Sequence, residues 1–175
     1  MKQLISRISI GLAGASSLLI FLWPLLITTA TQSETQLAQT VFIVLMPVTL
    51  LLILVEFATG DISSKHLALL GVLIALNAVI RLLGAGTAGI ETAFFLVILG
   101  AYVFGSGFGF ILGAGSIFVS ALLTGGIGPW LPFQMMGAAL IGLGAGLIPH
   151  AKKNWLVKLN LIVYAVIASF TYGAL

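Results

Sequence analysis

The chain has 175 residues, 61% of them hydrophobic and only 6% charged, far below the roughly 25% charged residues of a soluble globular domain. That balance defines an integral membrane protein, and the absence of cysteine excludes disulfides, thiolate catalysis and Cys-ligated metals. The net charge is +3, but the seven basic residues are dispersed along the chain, which fits orientation in a bilayer better than contact with nucleic acid.

A helix needs about 20 mainly apolar residues to cross the hydrocarbon core. Seven candidate spans can be placed, at 8–27, 38–56, 66–83, 90–104, 107–123, 132–149 and 155–174. The first is read as a retained helix: many spans follow it and no small-residue cleavage site clearly does. Between Glu91 and Lys152 lie 60 uncharged residues, so three spans must share them with very short connections. The chain breakers fall where that requires, at "GSG" (105–107) and "TGGIGPWLP" (124–132).

Cytoplasmic loops are enriched in Lys and Arg. With the N-terminus inside, Lys2, Arg7, Lys65, Lys152, Lys153 and Lys158 lie at the cytoplasmic side, and only Arg81 faces outward. The external connections are then "TTATQSETQLAQ", "RLLGAGTAGIE" and "TGGIGPWLP", and the C-terminus lies outside.

Small residues let helices pack closely in lipid, where apolar burial alone gives no drive to associate. Gly105, Gly109 and Gly113 recur every four residues, and Gly142 and Gly146 form a second pair; ordinary packing within one bundle accounts for such pairs. In the third span Ala68, Gly71, Ala75 and Ala78 fall within about 80° of one another at 100° per residue, with Asn77 and Arg81 a quarter turn or more away. One helix therefore carries a smooth face and a separate polar face.

Polar groups within spans are costly and mark functional candidates. Arg81 either snorkels to the interface or, with Asn77 one turn deeper, forms a fixed donor for an anionic or carbonyl group. Glu91 opens the fourth span, where a carboxylate complements the helix dipole and can pair with Arg81. Gln134 follows Pro132 in the first turn of the sixth span, a prepared helix start. Trp130 is read as an interfacial belt residue or as a stacking platform, and Asn160 and Tyr164 as an interhelical hydrogen-bonding pair. Nothing points to catalysis: there is no carboxylate pair inside the bundle, no H-E-x-x-H and no Walker-type loop. No Asp, Glu or His sits at mid-span to couple transport to ions.

Residues 67–149, most specifically "FGFILGAGS" and "GPWLPFQMMGAALIGLGAGLIP", resemble the substrate-binding S component of energy-coupling factor (ECF) transporters of the actinobacterial vitamin type. The resemblance implies an all-α polytopic bundle in a bacterial cell membrane. It would be a six-helix unit (66–175) that captures a vitamin or related micronutrient from outside, preceded by two additional helices (1–65). On that count the chain stops before a final core helix. The resemblance further implies a transmembrane T component and two cytoplasmic ATPases as partners, with ATP used there and no cofactor in this chain. It places the T-component surface on Ala68, Gly71, Ala75 and Ala78, with Gly71-x-x-x-Ala75 standing for the family's Ala-x-x-x-Ala; Gly11-x-x-x-Ala15 ranks lower. Asn77, Arg81, Glu91, Tyr102, Trp130 and Gln134 are the expected ligand contacts. Two other readings compete: a structural or assembly subunit that binds no small molecule, and a stand-alone facilitator.

Overall fold

The computed structural model describes residues 63–84, 92–150 and 153–174, together with Ala15 and scattered positions between 43 and 58. Apart from Ala15, the first expected span lies outside the described residues, as does Glu91. Five complete helices follow one another: α1 (Ser64–Gly84), α2 (Ala93–Phe104), α3 (Ser106–Thr124), α4 (Leu131–Ala145) and α5 (Asn154–Ala174). The positions described between 43 and 58 are also helical, and Met46, Leu50 and Ile53 pack against the core. The protein is an all-helical bundle with no strand among the described residues.

The connections are as short as the uncharged stretch requires. A single residue, Gly105, joins α2 to α3 at φ 98°, a backbone region that costs side-chain-bearing residues and not glycine. Gly125 ends α3 in the left-handed conformation, its N–H bonding the Ala121 carbonyl. The Gly126 N–H reaches the same carbonyl at 3.0 Å, so the last turn of α3 is closed by backbone alone. Pro132 lies in the first turn of α4, where its missing N–H has no cost.

Helix α3 is the centre. Gly109 and Gly142 bring the backbones of α3 and α4 into direct contact, and Gly113 lies on the Ala138 backbone. Ile74 of α1 fills the space above Gly115, so that a Cβ there would stand 2.8 Å from its Cδ1. Around this centre Phe110, Ile111, Leu112, Ile117, Met135 and Met136 are fully enclosed. The surface is the reverse of a soluble protein's: Val72, Phe95, Val103, Ile162, Ile167 and Phe170 all face outward. Such contiguous apolar exposure identifies a lipid-facing surface.

Among the described residues three helices, α1, α3 and α5, are long and apolar enough to cross a membrane. Helices α2 and α4 have 12 and 15 residues, or about 18 and 22 Å at 1.5 Å per residue, short of a ~30 Å hydrocarbon core. The sixth expected span therefore ends early, at Ala145 instead of residue 149. The Gly146 N–H bonds the Gly142 carbonyl at 3.2 Å and the Leu147 N–H the Gly144 carbonyl at 3.1 Å, and the segment leading to Pro149 leaves the helix. Apolar content continues through "GLIP", but helical backbone does not.

Helix α5 lies loosely along the bundle. Its Tyr164 hydroxyl donates to the Ile141 carbonyl of α4 at 2.7 Å, and Tyr172 meets Phe94 of α2 edge-on with ring centroids 4.8 Å apart. Tyr164→Phe is expected to destabilise the docked α5 by about 1 kcal/mol, the net value of one such bond. Denaturant melts of the detergent-solubilised protein measure this, and an unchanged midpoint would remove the bond from the account.

Candidate functional site

The bundle has two chemically distinct ends. At one, His66 in the first turn of α1 meets Phe104 at the end of α2, with centroids 5.4 Å apart. Tyr102 stacks on His150 there at 4.3 Å and 22°. This end also carries exposed Lys65, Lys153 and Lys158. At the other end α1 finishes with Arg81, α3 closes on Gly125 and α4 begins after Trp130.

A polar seam runs down from this second end between α1 and α3. Arg81 donates from Nη1 to the Ser120 hydroxyl at 3.1 Å. One turn deeper on each helix stand Asn77 and Ser116, 0% and 1% exposed. Helices α1 and α3 run the same way, since both Ile74 against Gly115 and Arg81 against Ser120 are in contact. Asn77 and Ser116 therefore occupy the level between those two contacts. The Ser116 hydroxyl is satisfied within its own helix, by the Leu112 carbonyl at 2.6 Å. Asn77 is not: neither its amide nitrogen nor its oxygen has a hydrogen-bond partner among the described residues. Burying an unpaired amide costs about 1–3 kcal/mol, and sequences rarely retain one without a use.

Beside the seam, Thr92 just before α2 donates to the Ile80 carbonyl at 3.4 Å, drawing the start of α2 to the end of α1. At the same end Trp130 is 55% exposed, its ring folded over Gly128 where any Cβ would collide with it. Gln134 is half-buried in the first turn of α4, its N–H bonded to the Trp130 carbonyl at 3.1 Å.

Of the expected contacts, Asn77, Arg81, Trp130 and Gln134 thus share one end of the molecule, and Glu91 lies outside the described residues. Tyr102 is at the opposite end, on His150, because α2 runs antiparallel to α1 and ten residues carry it away from Thr92. Ser116 and Ser120 were missed. Their signal was present in "SIFVS", two hydroxyls four residues apart on one face of an apolar helix. Of the small-residue row, Ala68, Gly71 and Ala75 are exposed, and a Cβ on Gly71 would meet nothing within 4 Å. Ala78 is different: it is fully buried inside the bundle, level with Asn77, and cannot present itself to another protein.

A family model, the substrate-specific component of ECF transporters, matches residues 65–175. Comparison with curated proteins and with solved structures gives no match. The chain belongs to the substrate-specific components of ECF transporters; it is a multi-pass membrane protein and a transporter subunit, not an enzyme. Membership implies partnership with a T component and ATPases in an ECF module.

Proposed function

We propose that the chain is the ligand-capturing subunit of an ATP-driven importer, taking a vitamin-sized micronutrient at the end where Arg81, Trp130 and Gln134 lie. The basic residues at the other end make that one cytoplasmic under the positive-inside rule, so the N-terminus lies inside and the Arg81 end faces the exterior. The observation that carries the reading is the seam itself, an arginine on a serine above an enclosed, unpartnered asparagine in an otherwise apolar bundle. Arg81 suits a carboxylate, phosphate or carbonyl oxygen, and Trp130 offers a face for a ring. Glu91 and Gln134 complete the proposed contacts. Because Asn77 is fully enclosed, a ligand reaches its amide only when α1 and α3 part at this end. Exposed Ala68, Gly71 and Ala75 form the proposed T-component surface, and the two N-terminal helices an addition ahead of the binding unit.

Asn77→Leu separates this reading from a structural one. Removing an unsatisfied buried amide should raise the melting temperature, while ligand affinity falls; a variant that loses stability instead would show Asn77 to be a packing residue. Gln134→Ala is expected to weaken ligand binding by about 1–3 kcal/mol, roughly 5- to 150-fold in Kd, if its amide is buried against the ligand. Titration calorimetry gives the value, and an unaltered Kd removes Gln134 from the site. Native mass spectrometry of gently purified protein identifies the retained small molecule and partner subunits. Uptake by vesicles that contain this chain without ATPases would replace the importer reading with that of a facilitator.

A further inference from the structure

A cavity of ≈ 700 Å³ separates α2 from α5 on the outer surface of the bundle, and at one end it reaches Ile80 and Thr92 beside the polar seam. Its walls are apolar, with Phe95 and Leu99 on α2 facing Ile162 and Ala165 on α5. Thr92 and Ser169 line it toward the Arg81 end, and Lys158 is its one cationic lining residue. We propose that this groove holds one anionic phospholipid, with an acyl chain along α2 and α5 and the headgroup phosphate on Lys158.

Three features select that occupant. From Lys158 to Ser169 is 11 residues, about 16 Å of helix rise, half of a ~30 Å hydrocarbon core and therefore the depth of one leaflet. The groove opens on a surface that is itself lipid-facing, since Phe95 is 65% and Ile162 61% exposed. A lipid chain there needs no polar partner, whereas a peptide would leave backbone N–H and C=O groups unsatisfied unless it were helical. The rim of the groove is also basic. Lys158 lies one turn inside Trp155, an exposed aromatic at interfacial depth, and exposed Lys153 precedes it at the start of the same helix. An ammonium on a long stem at the rim of an apolar channel fits a lipid phosphate with its chain below. With this end cytoplasmic, the leaflet concerned is the one richer in anionic lipid. The loose docking of α5, through Tyr164 and Tyr172, leaves the groove open, and the lipid takes the place of the missing helix-to-helix packing.

The test uses the full chain in nanodiscs that contain phosphatidylglycerol and phosphatidylcholine with identical acyl chains, followed by native mass spectrometry of the lipids retained on release. One phosphatidylglycerol per chain is expected, favoured over phosphatidylcholine about fivefold, the factor that corresponds to about 1 kcal/mol per basic residue at a membrane surface. Lys158→Gln, an exposed position, should bring the preference close to one. Lys65→Gln, at the same end but outside the groove, should leave it intact. Leu99→Trp with Ala165→Trp should fill the channel and remove both lipids; if that variant does not fold, the pair of lysine variants decides alone. Equal retention of the two lipids by the unaltered protein, or a preference that survives Lys158→Gln, overturns the proposal. So does a photoreactive residue at position 162 that captures polypeptide, whether from this chain or a partner, in place of lipid.

Discussion

Gly142→Leu is expected to destabilise the bundle by about 3 kcal/mol or more, the upper range for overpacking in a close-packed interior. At this position the backbones of α3 and α4 touch, and a Cβ on Gly142 would lie against the Gly109 carbonyl. The neighbour is main chain, which cannot turn aside as the end of a side chain can. Even Gly142→Ala should be destabilising, although alanine improves intrinsic helix propensity by about 1 kcal/mol. At Gly71, where a Cβ meets nothing within 4 Å, the same Gly→Ala change is expected to be neutral or stabilising. Thermal melts in detergent, followed by far-UV circular dichroism, compare the two. A tolerated Gly142→Leu would mean that α3 and α4 are not held backbone to backbone.

Gly71→Leu combined with Ala75→Leu is expected to abolish co-purification with the T component while ligand affinity stays unchanged. The two positions face outward on α1 between exposed Val72, Leu76 and Val79, a shallow strip flanked by larger side chains. Helices in lipid gain most from close van der Waals approach over small residues, so two leucines would hold a partner helix away along a full turn. The opposite face of α1 carries Asn77 and Arg81, and their seam with α3 is untouched by the substitution. Ligand binding is thus the internal control. Co-purification that survives the double substitution would remove this strip as the partner surface; loss of both properties together would point to a damaged fold.

Much of the framework could be read from residue order because membrane helices obey few rules. An apolar run of a given length must be helical, and the breakers at Gly105 and at Gly125–Pro132 have one place to act. Helices α1, α3 and α5 therefore lie within about two residues of the expected bounds. The early end of α4 was not legible, since hydropathy cannot separate the last helical turn from an apolar turn rich in glycine. In the site, Asn77 and Arg81 declared themselves by their cost in a span. The serine that Arg81 bonds is 39 residues away, and no local pattern names such a partner. Tyr102 shows the reverse case. Counting along antiparallel spans from Thr92 places it at the far end, beside His150. Ala78 shared a small-residue row with Ala68, Gly71 and Ala75, and only the packing of α1 on its neighbours divides that row into an exposed part and an enclosed one.

The one-residue joint at Gly105 bears on how the protein reaches its topology during synthesis. With no loop between α2 and α3, the pair must enter the bilayer as a hairpin, and from Thr92 to Ala151 the chain offers no Asp, Glu, Lys or Arg to orient it. Insertion machinery reads orientation from basic residues close to helix ends. The central helices have none, so under that rule their direction follows from the lysines on either side, Lys65 in the first turn of α1 and Lys152 and Lys153 before α5. The positive-inside rule thus ties the direction of the polar seam to lysines outside those central helices.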